Sequence, residues 1–228
     1  MRLRNFVIGT TLISLGLVNA NANALLDDEV KNQLKAKSTK ISTPTTSAPA
    51  PAPLPAAPST LVKGDKILNQ AYYDTFKILS APNSCSQFFG GSTRATMVFN
   101  TLMSGIQKEY LDGSIGMRMS GETTSVTDAP TGIKFRVFKK ASINAKGPFY
   151  KKRISANEPS VPRLGNYDPN TKAIRSFILL HELGHLMKGD DGNWLLPDDG
   201  KSHEISRENS AKIEDVCGDQ IKQLARTN

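Results

Sequence analysis

Residues 36–60 decide where this chain can fold. The stretch is rich in Pro, Ala, Ser and Thr, and six of the chain's 13 prolines fall between Pro44 and Pro58. Proline removes backbone donors and fixes φ, and small side chains bury little apolar area, so such a segment builds no core. It reads as an extended, semi-rigid spacer. Ahead of it, residues 1–24 read as a secretory signal peptide. Arg2 and Arg4 form a basic start, Phe6 to Val18 an apolar run, and Ala20-Asn21-Ala22 and Ala22-Asn23-Ala24 offer cleavage sites. The apolar run is short for a bilayer span. No integral membrane span is therefore expected after cleavage, and the chain is expected to be secreted or periplasmic. Residues 25–35 read as a short helical patch within the segment 25–60 that precedes the folded domain. The domain itself is expected over 61–228.

Export changes the reading of charge and cysteine. The formal charge is +8, and removal of the leader takes away Arg2 and Arg4 and no acidic residue, leaving +6. This reads as a solvated basic surface with some preference for anionic envelope polymers. No interleaving of aromatic and basic residues marks a nucleic-acid module, so no nucleic-acid partner is expected. The chain has two cysteines, Cys85 and Cys217. An even pair in an oxidising compartment predicts a disulfide. Closing so long a loop is worth roughly 4–5 kcal/mol in the chain-entropy model. Ile213, Cys217, Ile221 and Leu224 share one helical face, so two buried thiols are the alternative.

Within 61–228 the periodicity changes twice. Helical spacing is predicted over 62–80 and, from a Ser92 N-cap, over 92–111. A loop carrying Pro82 and Cys85 lies between them. Alternation at Ile115, Met117 and Met119, and at Ile133, Phe135 and Val137, predicts two strands. Residues 148–154 are a candidate third. Asp168-Pro169 has the form of an N-cap followed by proline, predicting a helix that runs to Lys188 with Gly189 as its cap. A last helix is predicted over 206–225. Helices, a small mainly antiparallel sheet, then two helices make an α+β domain, expected as a monomer.

The third helix holds the chemistry. Residues 177–192, FILLHELGHLMKGDDG, place two of the chain's three histidines and a glutamate in an apolar run. Polar groups there are costly to bury without compensation. His181 and His185 are four apart, on one helical face, with Glu182 on the neighbouring one. This is H-E-x-x-H. Two imidazoles one turn apart can bind one zinc ion, and a catalytic zinc needs a third protein ligand and an open position for water. The metal lowers the pKa of that water to roughly 7, and Glu182 is placed to take its proton. Gly184 costs about 1 kcal/mol against alanine inside a helix, so a close approach is expected there.

At these residues the chain resembles the zincin superfamily of zinc metallopeptidases. The stretch Cys85-Ser-Gln-Phe-Phe-Gly90, the HELGH motif, Asp191-Gly192 and the Ser206–Asn209–Ile213–Cys217 spacing resemble, more narrowly, small secreted bacterial proteins of metallopeptidase type. The resemblance implies that His181 and His185 are zinc ligands, that Glu182 is the general base, and that an edge strand pairs with an extended substrate. Residues 132–138 or 115–119 are candidates for that strand. Metzincin-like enzymes continue to a third ligand at the position of Asp191. Here Lys188 stands at that pattern's glycine position, Gly189 arrives one residue late, and no methionine follows Met187 for a Met-turn. Glu204, Glu208 and Glu214 remain open as third ligands by analogy with gluzincins, as do His203 and Asp190. Tyr150, Tyr167, His203 and Arg207 are candidate oxyanion stabilisers.

The expected activity is an exported zinc-dependent metallopeptidase acting on a peptide or protein substrate, with Zn2+ held by His181, His185 and Asp191. A non-catalytic envelope-binding module on a degenerate zincin scaffold is the alternative. Hydrolysis of a cell-wall amide is a third reading.

Overall fold

The computed structural model describes residues 65–112, 116–153, 161–200 and 202–226. The expected signal peptide, the patch at 25–35 and the spacer lie outside them. Five helices and three strands fill the described residues: α1 (Lys66–Ser80), α2 (Ser84–Phe88), α3 (Ser92–Ser104), β1 (Ile106–Glu109), β2 (Met117–Thr127), β3 (Lys134–Asn144), α4 (Lys172–Leu186) and α5 (His203–Arg226). Helices and sheet occupy separate stretches of chain, as the α+β expectation requires. Among the described residues no helix is long and apolar enough to cross a membrane.

Helix α1 starts where Asp65 accepts a hydrogen bond from the Leu68 N–H at 2.9 Å, a side-chain N-cap. It buries Leu68, Ala71, Tyr72, Ile78 and Leu79, and Tyr72 stacks on Phe99 of α3 with centroids 5.5 Å apart. The loop expected around Cys85 is instead the short helix α2, closed by a capping box between Asn83 and Ser86. Cys85 is disulfide-bonded to Cys217, which ties α2 to α5.

Ser92 is the first residue of α3, not its cap. Gly91 takes the cap position at φ 91°, where a side chain would be strained. The helix also ends earlier than predicted, at Ser104. Ile106 continues the helical spacing in sequence, but it is buried in β1, opposite Ala141 of β3. Strand pairing has overridden local periodicity there.

The sheet order is β1-β3-β2, with β1 parallel and β2 antiparallel to the central β3. The sheet is thus mixed, with the longer pairing antiparallel. Its third strand is β1; the described part of the candidate stretch 148–154 forms no strand, Phe149 and Tyr150 fold into the core, and the Tyr150 hydroxyl donates to Asp65 at 2.9 Å. Strands β2 and β3 are longer than predicted, and β2 bends at Gly121 (φ 86°), where the register shifts between Ser120 and Thr123. Of the two candidate edge segments, 115–119 has Ile115 outside the described residues and its residues 117–119 in the edge strand β2. Residues 134–138 belong to β3, whose Phe135 also bridges Met187 on the side away from β2.

Helix α4 is the buried axis of the domain, with 12 of its 15 residues buried. It begins three residues after the Pro169 start because Asn170 takes φ 61° and donates its N–H to the Pro148 carbonyl at 2.7 Å. Thr171 then caps the helix through Ile174 N–H. At the other end α4 stops at Leu186. Met187 is extended and Gly189 is not a left-handed cap. Met187 leaves the helix to bridge Phe135 and to accept from Leu195 N–H at 2.8 Å. Helix α5 packs along α4, buries Ile213, Cys217 and Ile221, and begins three residues before the predicted start.

Candidate metal centre

One turn of α4 brings the two imidazoles together. His181 and His185 are 8% and 4% exposed, and their Nε2 atoms are 3.2 Å apart. That contact would be unfavourable between two lone pairs or two N–H groups, so the pair needs a shared proton or a shared cation. The Oδ2 atom of Asp199 completes the group, 3.5 Å from His181 Nε2 and 3.8 Å from His185 Nε2. Among the described residues these three form the one cluster of His, Cys, Asp or Glu side chains suited to a metal ion.

The chemistry of this donor set fits zinc. A point equidistant from the three atoms lies about 2.0 Å from each, given sides of 3.2, 3.5 and 3.8 Å. Zn–N and Zn–O bonds are about 2.0–2.2 Å. Two neutral imidazoles and a carboxylate are also ligands that zinc prefers. Burial pushes His185 down to about 4, with His181 adding to the effect, so its ring is neutral at pH 7 and able to bind. Burial would raise Asp199, but the hydrogen bond from His181, the His185 ring when it is protonated at low pH, and the hydrogen bond from Ser206 outweigh it and hold the carboxyl below its usual range. The Ser210 hydroxyl of α5 lies 3.3 Å from His181 Nδ1, in the position of an outer partner that orients the ring. His185 Nδ1 is buried without a hydrogen-bond partner among the described residues.

Asp199 reaches the histidines by a tethered loop. Leaving α4, the chain makes a narrow hairpin: Lys188 bridges Trp194, and Gly189 N–H donates to Asn193 O at 2.8 Å. It then returns over the helix. Leu196 N–H donates to the Gly184 carbonyl at 3.2 Å, and a Cβ on Gly184 would lie 2.6 Å from both Cγ and Cδ1 of Leu196. This is the close approach for which the motif's glycine is needed. Arg94 of α3 donates to the Lys188 carbonyl, Lys212 of α5 to the Leu195 carbonyl, and Asn209 of α5 to the Pro197 carbonyl, at 2.6, 3.0 and 2.9 Å. Arg136 of β3 pairs with Asp198.

Asp191 is placed at the hairpin tip, exposed. Its carboxylate accepts from the backbone and side-chain N–H groups of Asn193, both at 3.0 Å, which hold it below its usual range. It forms a turn and does not join the histidines. Asp190, His203, Glu204 and Glu208 are exposed, and Glu214 accepts from Asn166. Of the proposed stabilisers, Tyr150 is committed to Asp65, the Tyr167 hydroxyl faces Gly218 farther along α5, and Arg207 is exposed.

Comparison with protein-family models, with curated proteins and with solved structures finds no match.

Glu182 flanks the cluster. Its side chain keeps a small part of its surface in solvent while lying deep among protein atoms. Burial pushes its carboxyl up to about 7, with His181 opposing and Asp199 adding to the rise. A carboxyl of that kind exchanges protons near neutral pH, which suits a general base. A cleft of about 230 Å³ lies between the end of α3 and the sheet, lined in part by Leu102, Met119, Val137 and Leu186. None of the cluster residues line it. The cluster opens instead beside Asp199, whose side chain is 25% exposed where the imidazoles are buried.

Sequence reasoning missed Asp199. The chain carries Asp-Asp-Gly twice, at 190–192 and at 198–200. The second copy was the available signal, and nothing in local spacing favours it over the first.

Proposed function

We propose that this chain is an exported zinc-dependent peptidase with a zincin-like arrangement. The observation that carries the reading is the convergence of His181, His185 and Asp199 on one point, with Glu182 beside them. His181, His185 and Asp199 would hold the ion. When bound, zinc supplies Lewis acidity and lowers the pKa of water at the site to about 7. Glu182 takes the proton of the attacking water and returns it to the leaving amine. Ser210 orients the His181 ring, and Arg136 and Asn209 hold the segment that carries Asp199. The disulfide and the leader-like first 24 residues support export, since such bridges persist in oxidising compartments.

The test is the zinc content of the full chain, purified under oxidising conditions, beside a His181→Ala control, together with cleavage of a mixed peptide library. One zinc per chain, absent from the control, and cleavage lost in Glu182→Gln are expected. No zinc even after supply of the metal would overturn the reading. Zinc without any Glu182-dependent cleavage would favour a binding module.

A further inference from the structure

We propose that Arg136 is a positioning residue that sets Asp199 against the two histidines and thereby tunes the affinity of the centre for its metal. This rests on the metal reading above.

Arg136 lies on the central strand, and its side chain is buried. A buried guanidinium is costly unless its donors are satisfied. Here Nε donates to the His185 carbonyl at 2.6 Å. Both terminal nitrogens donate to Asp198, Nη1 to Oδ2 at 3.0 Å and Nη2 to Oδ1. Its guanidinium carbon lies 4.0 Å from the Trp194 ring centroid. One planar group therefore holds three things at once: the backbone of one histidine ligand, the hairpin through Trp194, and the residue next to Asp199. Lysine offers a point charge in place of this fork and cannot make all three contacts.

The pairing with Asp198 is informative because that carboxylate is 63% exposed. Asp198 needs no partner for its own sake; the pair compensates the buried Arg136 guanidinium and also fixes geometry. A two-point grip on residue 198 restricts the backbone from which Asp199 projects. Outer partners of metal ligands commonly change metal affinity by roughly 10–100-fold when removed.

The experiment measures zinc affinity of the full chain by competition with a chromophoric chelator, for the native protein, Asp198→Asn, Arg136→Lys and Arg136→Met. Thermal midpoints are read in parallel with metal removed. Asp198→Asn changes an exposed side chain and serves if the arginine variants do not fold. About a 10–100-fold loss of zinc affinity is expected in Asp198→Asn and in Arg136→Lys. The cobalt-substituted variants should also show altered visible absorption, which a purely structural role would leave unchanged. Native-like zinc affinity and cobalt spectra in Asp198→Asn, with or without a lower midpoint, would overturn the positioning role while leaving the metal reading intact. A native chain that binds no zinc would overturn that reading and this inference with it.

Discussion

Helix α4 places His181 and His185 with its own backbone, since one helical turn is enough to bring their Nε2 atoms to 3.2 Å. The segment from Met187 to Asp199 has no such repeat. Asp199 arrives because α3, β3 and α5 each hold part of the segment, through Arg94, Arg136, Asn209 and Lys212. The helical half of the centre is thus local and buried. The loop half is long-range and partly open. The difference teaches that a short motif can specify two members of the proposed centre while leaving the third to packing.

The comparison can be broken in several places. The largest effect is expected from the helix: His185→Ala should take zinc from one per chain to none, read by metal analysis. Glu182→Gln should next separate chemistry from binding. Hydrolysis should fall by about 10²–10⁴-fold with zinc retained, since a positioned acid–base group is worth that much. A variant that lost its zinc as well would make Glu182 part of the scaffold.

The two Asp-Asp-Gly copies sharpen the loop half. Asp199→Asn should weaken zinc binding by more than the roughly 10–100-fold typical of an outer partner. Asp191→Asn should leave it unchanged, because that side chain bonds only within its own turn. The reverse result in a chelator titration would move the third ligand to the hairpin tip.

Gly184 joins the two halves. Alanine there gains about 1 kcal/mol in helix propensity. The new methyl meets Leu196 at 2.6 Å, and overpacking of that kind costs about 1–3 kcal/mol. A net loss of about 1 kcal/mol in denaturant unfolding is expected, with weaker zinc binding as Leu196 is displaced. The smallest effect belongs to Asn209→Ala, which loses the Pro197 hydrogen bond, at about 1 kcal/mol or less.

Much of the framework could be read before the fold was known. Helix α1 follows its apolar period, and the disulfide follows from two cysteines and an expected export route. Elsewhere local signals lost to contacts made far along the chain. Ile106 belongs to a strand because Ala141 pairs with it, and residues 148–153 form no strand because Phe149 and Tyr150 are drawn into the core. Met187 ends α4 early because Phe135 and Leu195 pair with it. In each case a partner from another element outweighs a propensity of a few tenths of a kcal/mol per residue.

By itself, then, the sequence determined the pair of imidazoles, the adjacent carboxyl and the need for a close approach at Gly184. All of these follow from the helical repeat and the size of one residue. Only the tertiary structure places Asp199, and not Asp191, beside the two imidazoles. The two occur in identical Asp-Asp-Gly triplets, and the choice depends on Leu196 crossing Gly184 and on Arg136 gripping Asp198. Those contacts join residues 12 and 62 positions apart, and short-range periodicity carries no information at that separation.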